Sequence, residues 1–375
     1  MKLLRSERFP AFLLLGAAAL GLIIANLPFG GDVISWSHTE IGVPGLELSI
    51  SHWVADLLLA VFFFGVAVEL QFEMTRGQLN SVAKAVRPAI AAVGGVVVPI
   101  IVFLMIAGRG ETAAGWPIPT ATDIAFALGV LAMFGRGLPK GVRVFLLALA
   151  IIDDIVGIVF IAVLFASDLD LGMLLAGIAA VVAFAIVSRV RMPSGISVPI
   201  MVVLALAAWV FVYFSGIHAT IAGVALGLVI SQDVGMRARH GLEPWINAVI
   251  LPIFAFFSAL VVIPQVALDE LSPALWGILV ALPVGKLVGI MLFGWLAQFV
   301  GNSERLPLGD ILPAAALGGI GFTVSLLLSR LAYSDATIAD EAVLGVLLGS
   351  LASLILAAIT VPMRARHHRR LAEQS

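Results

Sequence analysis

Apolar stretches long enough to cross a bilayer recur from one end of this chain to the other. That recurrence limits the fold more than any single motif. In hydrocarbon every backbone N–H and C=O must be satisfied within the protein, so only helices and closed barrels can span. The runs here are continuous over roughly 20 residues rather than alternating over roughly 10, which selects helices. They are placed near Phe9–Phe29, His52–Gln71, Pro88–Ala107, Ile118–Phe134, Val142–Ala166, Leu171–Ser188, Ile196–Phe214, Gly216–Ser231, Trp245–Ile263, Pro273–Val300, Leu308–Leu331 and Asp340–Met363. Only 12% of residues are charged, against about 25% in soluble domains, and the mean hydropathy is +1.14. The expectation is an all-α polytopic membrane protein in which residues 1–375 form a single transmembrane domain of about twelve helices. The Phe9–Leu27 stretch exceeds the about 7–15 apolar residues of a secretory signal. It is read as a retained first helix rather than a cleaved leader.

Twelve spans place both termini on one side, and charge fixes which side. With the termini inside, about 18 of the 21 Lys and Arg residues fall in inner loops and only Arg109 and Arg330 in outer ones. The inner set includes Lys2, Arg5, Arg8, Lys84, Arg305 and the terminal RARHHRR. Cytoplasmic loops carry such an excess, so both termini are expected in the cytoplasm. The longest outer loop, Gly30–Ser51, carries the alternating IGVPGLELSI and reads as a short hairpin. Cysteine is absent, which excludes disulfides and Cys-ligated metals. A net charge of −2 with no basic domain excludes a nucleic-acid partner.

Within this apolar background, a few ionisable residues need a reason. Asp153 and Asp154 fall near the centre of the fifth run, where an uncompensated charge costs at least about 2.5–3.5 kcal/mol. Consecutive helical residues point about 100° apart, so the two need not share a ligand. Each requires a cation, a proton or a basic side chain. Lys286 is too central in the tenth run to snorkel, and is expected to pair with one of the two. Asp123, after Thr122, starts a short helical half, where a carboxylate either caps the backbone N–H groups or binds an ion directly. Asp56 lies about a turn into the second run, as an interfacial cap or the lining of a funnel. Glu69 and Glu73 flank the inner end of that run and read as solvated helix-end acids able to attract cations. His218 reads first as a packed histidine and second as a pH-tuning group, because imidazole titrates near neutrality.

Two runs look broken. Pro117 and Pro119 interrupt the fourth, and Gly318, Gly319 and Gly321 favour unwinding in the eleventh. Irregular backbone at membrane depth is tolerated only inside protein or beside a cavity. A matched pair of interrupted spans points to an inverted-repeat transport site. Enzymatic chemistry finds no support: no phosphate loop, dinucleotide fingerprint, HExxH or Gly-x-Ser-x-Gly is present. An intramembrane aspartyl protease needs facing carboxylates on different helices, whereas these are adjacent on one. Its GxGD signature is missing too, the nearest string being PLGD at Pro307–Asp310. A sodium-coupled symporter of an organic solute is the main alternative, and wants more buried Asn and Gln than occur here. A passive cation channel is a further one.

The strings PTATDIAFALGVLA (119–132), FLLALAIIDDIVG (145–157), SGIHATIAG (215–223), ILPIFAF (250–256) and GGIGFTVS (318–325) closely resemble the bacterial sodium–proton antiporter A family, in order and spacing through nearly the whole chain. The resemblance implies twelve helices with the fourth and eleventh crossing at the midplane. It implies electrogenic exchange of cytoplasmic Na+, and Li+, for external H+ in the bacterial inner membrane, with no cofactor. Asp154 then binds the metal cation and a proton, with Asp153 contributing and pairing with Lys286. Thr122 and Asp123 match the family's Thr–Asp beside the crossing. Asp56 matches an accessory acid, and His218, with Glu69 and Glu73, the region linked to pH response. A homodimer is left open. The chain departs from the pattern at LQFEM after Glu69, at RARHGLEPW, which lacks the usual acid, and at Ser258, where an Asn is common.

Overall fold

A computed structural model describes residues 8–77, 79–166, 168–300 and 306–374. Lys2, Arg5 and Arg305 of the inner-loop cations lie outside that range, and the side chains of Arg8 and Lys84 are likewise outside the description. The described chain is helical apart from one hairpin, so almost all backbone polarity is satisfied within the segment that carries it, as lipid requires. In order come α1 (Arg8–Ala25), α2 (Gly30–Ser37), the strands β1 (Glu40–Val43) and β2 (Leu46–Ser49), α3 (Ile50–Thr75) and α4 (Val82–Ala107). They are followed by α5 (Ile124–Phe134), α6 (Lys140–Leu164), α7 (Leu171–Arg189), α8 (Ser194–Phe214) and α9 (Thr220–Val229). The chain ends with α10 (Gln232–Ser258), α11 (Pro273–Phe299), α12 (Leu308–Gly318), α13 (Phe322–Ala332) and α14 (Ala336–Gln374). The strands pair antiparallel with Glu40 opposite Ser49, the short hairpin that the alternation predicts.

Eight helices are individually long and apolar enough to span, and eleven are if each sharply bent pair counts as one. The short α9 occupies the eighth predicted run. Its 10 residues reach only about 15 Å, because the turn at Ser215–Gly216 (Gly216 φ +82°) delays its start and Ile230 ends it in extended backbone. The first run is also shorter than predicted: α1 stops at Ala25 and the chain turns by 114° into α2. The ninth begins earlier than predicted. RARHGLEPW, expected as a loop before Trp245, is helical within α10, which is amphipathic there and packs on α3. The last helix likewise carries RARHHRR as part of α14.

Three π-helical turns interrupt the spans, at Val54–Leu58, Ile246–Ile250 and Ala281–Gly285. Periodicity does not reveal them, because one added residue leaves the apolar run unbroken. One holds Asp56 and another ends immediately before Lys286. Pro283 accounts for the latter: it has no N–H to give and clashes with the carbonyl four residues back.

Without a hydrophobic drive between helices in lipid, tight packing relies on small residues. The contact of α4 with α11 is the clearest case. A Cβ on Gly289 would lie 2.1 Å from the Gly94 carbonyl oxygen, and one on Gly94 would lie 2.4 Å from that of Gly289. This contact holds the helix that carries Lys286. Gly289→Val is therefore expected to cost at least the about 1–3 kcal/mol of ordinary overpacking, since the obstructing atoms are backbone. Gly16→Val, at an exposed position with nothing within 4 Å, should be neutral. Melting of the two purified variants in detergent checks the pair.

Candidate functional site

The chain breaks where its residues cannot continue a helix. After two 3-10 turns, Glu111–Gly115 and Ile118–Thr120, residues 121–123 run extended and α5 begins, bent by 47° from what precedes it. On the other side Gly319–Gly321 separate α12 from α13 at a bend of 48°. The two irregular segments meet and satisfy each other. The Asp123 N–H donates to the Ile320 carbonyl at 2.7 Å. The Asp123 carboxylate caps α5 by accepting from Phe126 N at 2.9 Å, and its other oxygen accepts from Thr323 N at 3.3 Å, at the start of α13. Ser325 Oγ donates to the Ile118 carbonyl at 2.7 Å, and Ser350 Oγ of α14 accepts from Phe322 N at 3.2 Å. The cap and the crossing are one structure.

Thr122 links this crossing to the charged residues. Its Oγ1 lies 2.8 Å from both the Gly318 carbonyl oxygen and Asp153 Oδ2, with one hydrogen to share. Lys286 Nζ donates to Thr122 Oγ1 at 3.1 Å and to Asp153 Oδ2 at 2.5 Å. Asp153 and Lys286 are both wholly buried. Asp154, one residue on, points elsewhere and is 5% exposed. Among the described residues neither Asp154 Oδ1 nor Asp153 Oδ1 has a hydrogen-bond partner. Thr122, Asp123, Asp153, Asp154 and Lys286 thus come from α6, α11 and the break before α5, with Lys286 on Asp153 as one of the two pairings expected. Asp123 is compensated by N–H groups and Asp153 by an ammonium. Asp154 has neither.

A profile of the family described as Na+/H+ antiporter 1 matches residues 1–361. The chain belongs to that family. It is 52% identical to the Na(+)/H(+) antiporter NhaA 2 of Clavibacter michiganensis over 98% of this chain and 93% of that one. It is 45% identical to the Na(+)/H(+) antiporter NhaA of Tropheryma whipplei over 96% and 94%. The corresponding protein of Mycolicibacterium smegmatis is 40% identical over 99% and 89%. A solved structure of the sodium proton antiporter MjNhaP1 from Methanocaldococcus jannaschii at pH 8 superposes with a TM-score of 0.60 at 17% identity, over 94% of this chain and 91% of that one. At that identity the likeness establishes a shared fold.

In this member of the antiporter 1 family, the accessory residues form separate clusters. Asp56 is buried in its π turn with Oδ1 3.4 Å from His218 Nε2, and His218 Nδ1 lies 2.9 Å from Thr220 Oγ1. Glu69 is not a freely solvated acid: its Oε2 accepts from Arg239 Nη2 at 2.7 Å. Glu73 is buried. For Glu69 the reason is α10, whose helical RARHGLEPW segment packs on α3 and supplies Arg239. A further cluster went unread in the sequence. Asp310, almost wholly buried, accepts on Oδ1 from Arg364 Nε at 2.6 Å and lies 2.7 Å from His368 Nε2. The spacing of Arg364 and His368, one helical turn on one face, was its only trace.

The Asp153–Lys286 pair yields a stability test. Removing one partner of a buried pair costs about 3–5 kcal/mol, because a charge is left uncompensated. Lys286→Ala should lower the melting temperature in detergent markedly, and adding Asp153→Asn should recover much of the loss. Independent, additive effects in that double-mutant cycle would show that the two charges do not depend on one another.

Proposed function

We propose that this chain is a secondary active transporter that exchanges Na+, and also Li+, for H+ by alternating access. Its residues act as one transmembrane transporter domain with inverted repeats, in the bacterial cytoplasmic membrane with both termini cytoplasmic. The observation that carries the reading is Asp154: a buried carboxylate without a compensating partner, beside an Asp153 already occupied by Lys286. Low dielectric disfavours an isolated anion. A proton neutralises it, and so does a small hard cation held by oxygen ligands. The two occupancies exclude each other, which is the basis of exchange. Oxygens are supplied by Asp154, by the free Asp153 Oδ1 and by the backbone at the breaks, the arrangement that interrupted helices offer to cations.

Coupling follows from permitting movement only when the site is neutralised, by either ligand. Release of Na+ on one face and of protons on the other then moves the two in opposite directions, and the proton gradient drives Na+ out. If a second proton exchanges at Lys286, protons outnumber sodium ions in each cycle and transport is electrogenic. The Asp56–His218 and Glu69–Arg239 pairs and Glu73 adjust the response to pH. The reading requires no cofactor and no covalent chemistry.

In proteoliposomes, dequenching of a pH dye on addition of Na+ or Li+ tests the reading. Asp154→Asn keeps the shape of the side chain but neither exchanges a proton nor neutralises Na+. It should reduce exchange to background while membrane insertion and melting stay near wild type. Substantial exchange by a correctly inserted variant would place the ion site elsewhere.

Competition at one carboxylate also sets the pH dependence. As pH falls, proton occupancy rises and displaces Na+. The half-saturating Na+ concentration should then increase by up to about tenfold for each pH unit below the titration of the site, if one proton competes. Saturating Na+ should restore most of the rate. Exchange rates against Na+ at several pH values decide this. A maximal rate that collapses at unchanged half-saturation would move control to the accessory pairs.

A further inference from the structure

Two serines one turn apart on α14, Ser350 and Ser353, face the break between α12 and α13. Ser350 accepts from Phe322 N at 3.2 Å, an ordinary capping role. Ser353 differs. It is wholly buried, and among the described residues its Oγ has no hydrogen-bond partner. Helical serines usually donate back to a carbonyl three or four residues earlier. In this protein Ser188 and Ser329 do so, at 2.7 and 2.9 Å, and so does Ser215 at the end of α8, at 2.7 Å. The Ser353 hydroxyl is instead held against the break. A Cβ on Gly319 would sit 2.5 Å from Ser353 Oγ and 2.8 Å from the Leu282 carbonyl oxygen. That carbonyl belongs to the π turn before Lys286; the Lys286 N–H donates to the Ala281 and Pro283 carbonyls and not to that of Leu282. Ser353 therefore stands where the terminal helix, the turn preceding the lysine and the break converge.

An unpaired buried hydroxyl disfavours the conformation that leaves it unpaired, because its desolvation is not offset. The Leu282 carbonyl lines the same gap beside Gly319. We infer that Ser353 is a positioning residue of the transport cycle: unpaired in the conformation described, it bonds to that carbonyl once the break shifts, and so biases the protein away from this conformation. The inference rests on the exchange reading above for its consequence in transport, though not for its consequence in stability.

Ser353→Ala removes the unpaired hydroxyl at almost constant volume. It should stabilise this conformation, leaving the melting temperature in detergent unchanged or raised by about 1–3 °C. It should also slow amide hydrogen exchange at 318–323 and lower the maximal Na+-driven exchange rate in proteoliposomes by about five- to tenfold. Ser350→Ala is the contrast. It leaves Phe322 N–H unpaired, so the melting temperature should fall. A drop in melting temperature for Ser353→Ala would mean that the hydroxyl is already bonded at rest, and overturns the inference. So would a wild-type exchange rate, or faster amide exchange at the break. Absence of Na+-driven exchange in the wild-type protein would overturn the transport reading alone, with melting and amide exchange still deciding the role of Ser353.

Discussion

Everything at the centre of this protein depends on backbone groups at two helix breaks finding partners where no solvent can supply them. Each broken span provides what the other lacks. The break before α5 gives an N–H and a carboxylate to the break before α13, and receives a carbonyl and the Thr323 N–H in return. Ser325 and Ser350 close two of the remaining groups. Opening one break alone would leave several buried polar groups unpaired, at about 1–3 kcal/mol each. The two interrupted spans are thus bound to move together or not at all.

The charges are suspended from that crossing. Thr122 belongs to the break and touches both Gly318 and Asp153, so the position of the Asp153–Lys286 pair is registered to the backbone of the opposite span. Three buried carboxylates are set against one buried ammonium in this region, and only Asp153 meets it. N–H groups at the start of a half-helix offset Asp123, and Lys286 offsets Asp153. The remaining imbalance lies on Asp154. A buried pair is weak evidence for stability in its own right, since desolvation consumes most of the Coulombic gain. Its value here is in neutralising Asp153 through Oδ2, which leaves its neighbour as the group in need of a neutralising ligand.

Much of this was legible in the sequence because lipid enforces simple rules. Span-length runs, and prolines or glycines inside two runs, follow from the cost of exposed polarity in hydrocarbon. Residues such as Asp153 and Lys286 stand out for the same reason. What escaped was set by geometry that composition does not encode. The π turns at Val54–Leu58 and Ala281–Gly285 leave the apolar pattern intact. The polar segment Gln232–Trp245 resembled a loop because its composition is polar on average; its helix is amphipathic and is held by packing on α3 and by the Glu69–Arg239 pair. Asp310 entered the sequence reading only as the last residue of PLGD, with no partner assigned to it. Its partners, Arg364 and His368, are more than fifty residues away and lie in a basic tail that reads as solvated.

That last cluster bears on how the eleventh span can move. Asp310 ties the far end of α12 to α14 through Arg364 and His368. At the other extremity, Arg330 of α13 bonds Asp340 of α14 at 2.5 Å and reaches the Ser258 carbonyl of α10 at 3.3 Å. Both distant ends of the broken span are therefore pinned to the same long helix by charged contacts. Its two near ends meet at the crossing through neutral or singly charged hydrogen bonds. A load applied to such an element does not slide it bodily along α14, since that would break both ion pairs. It concentrates at Gly319–Gly321, where the helix is interrupted and where Ser350 and Ser353 of α14 lie alongside.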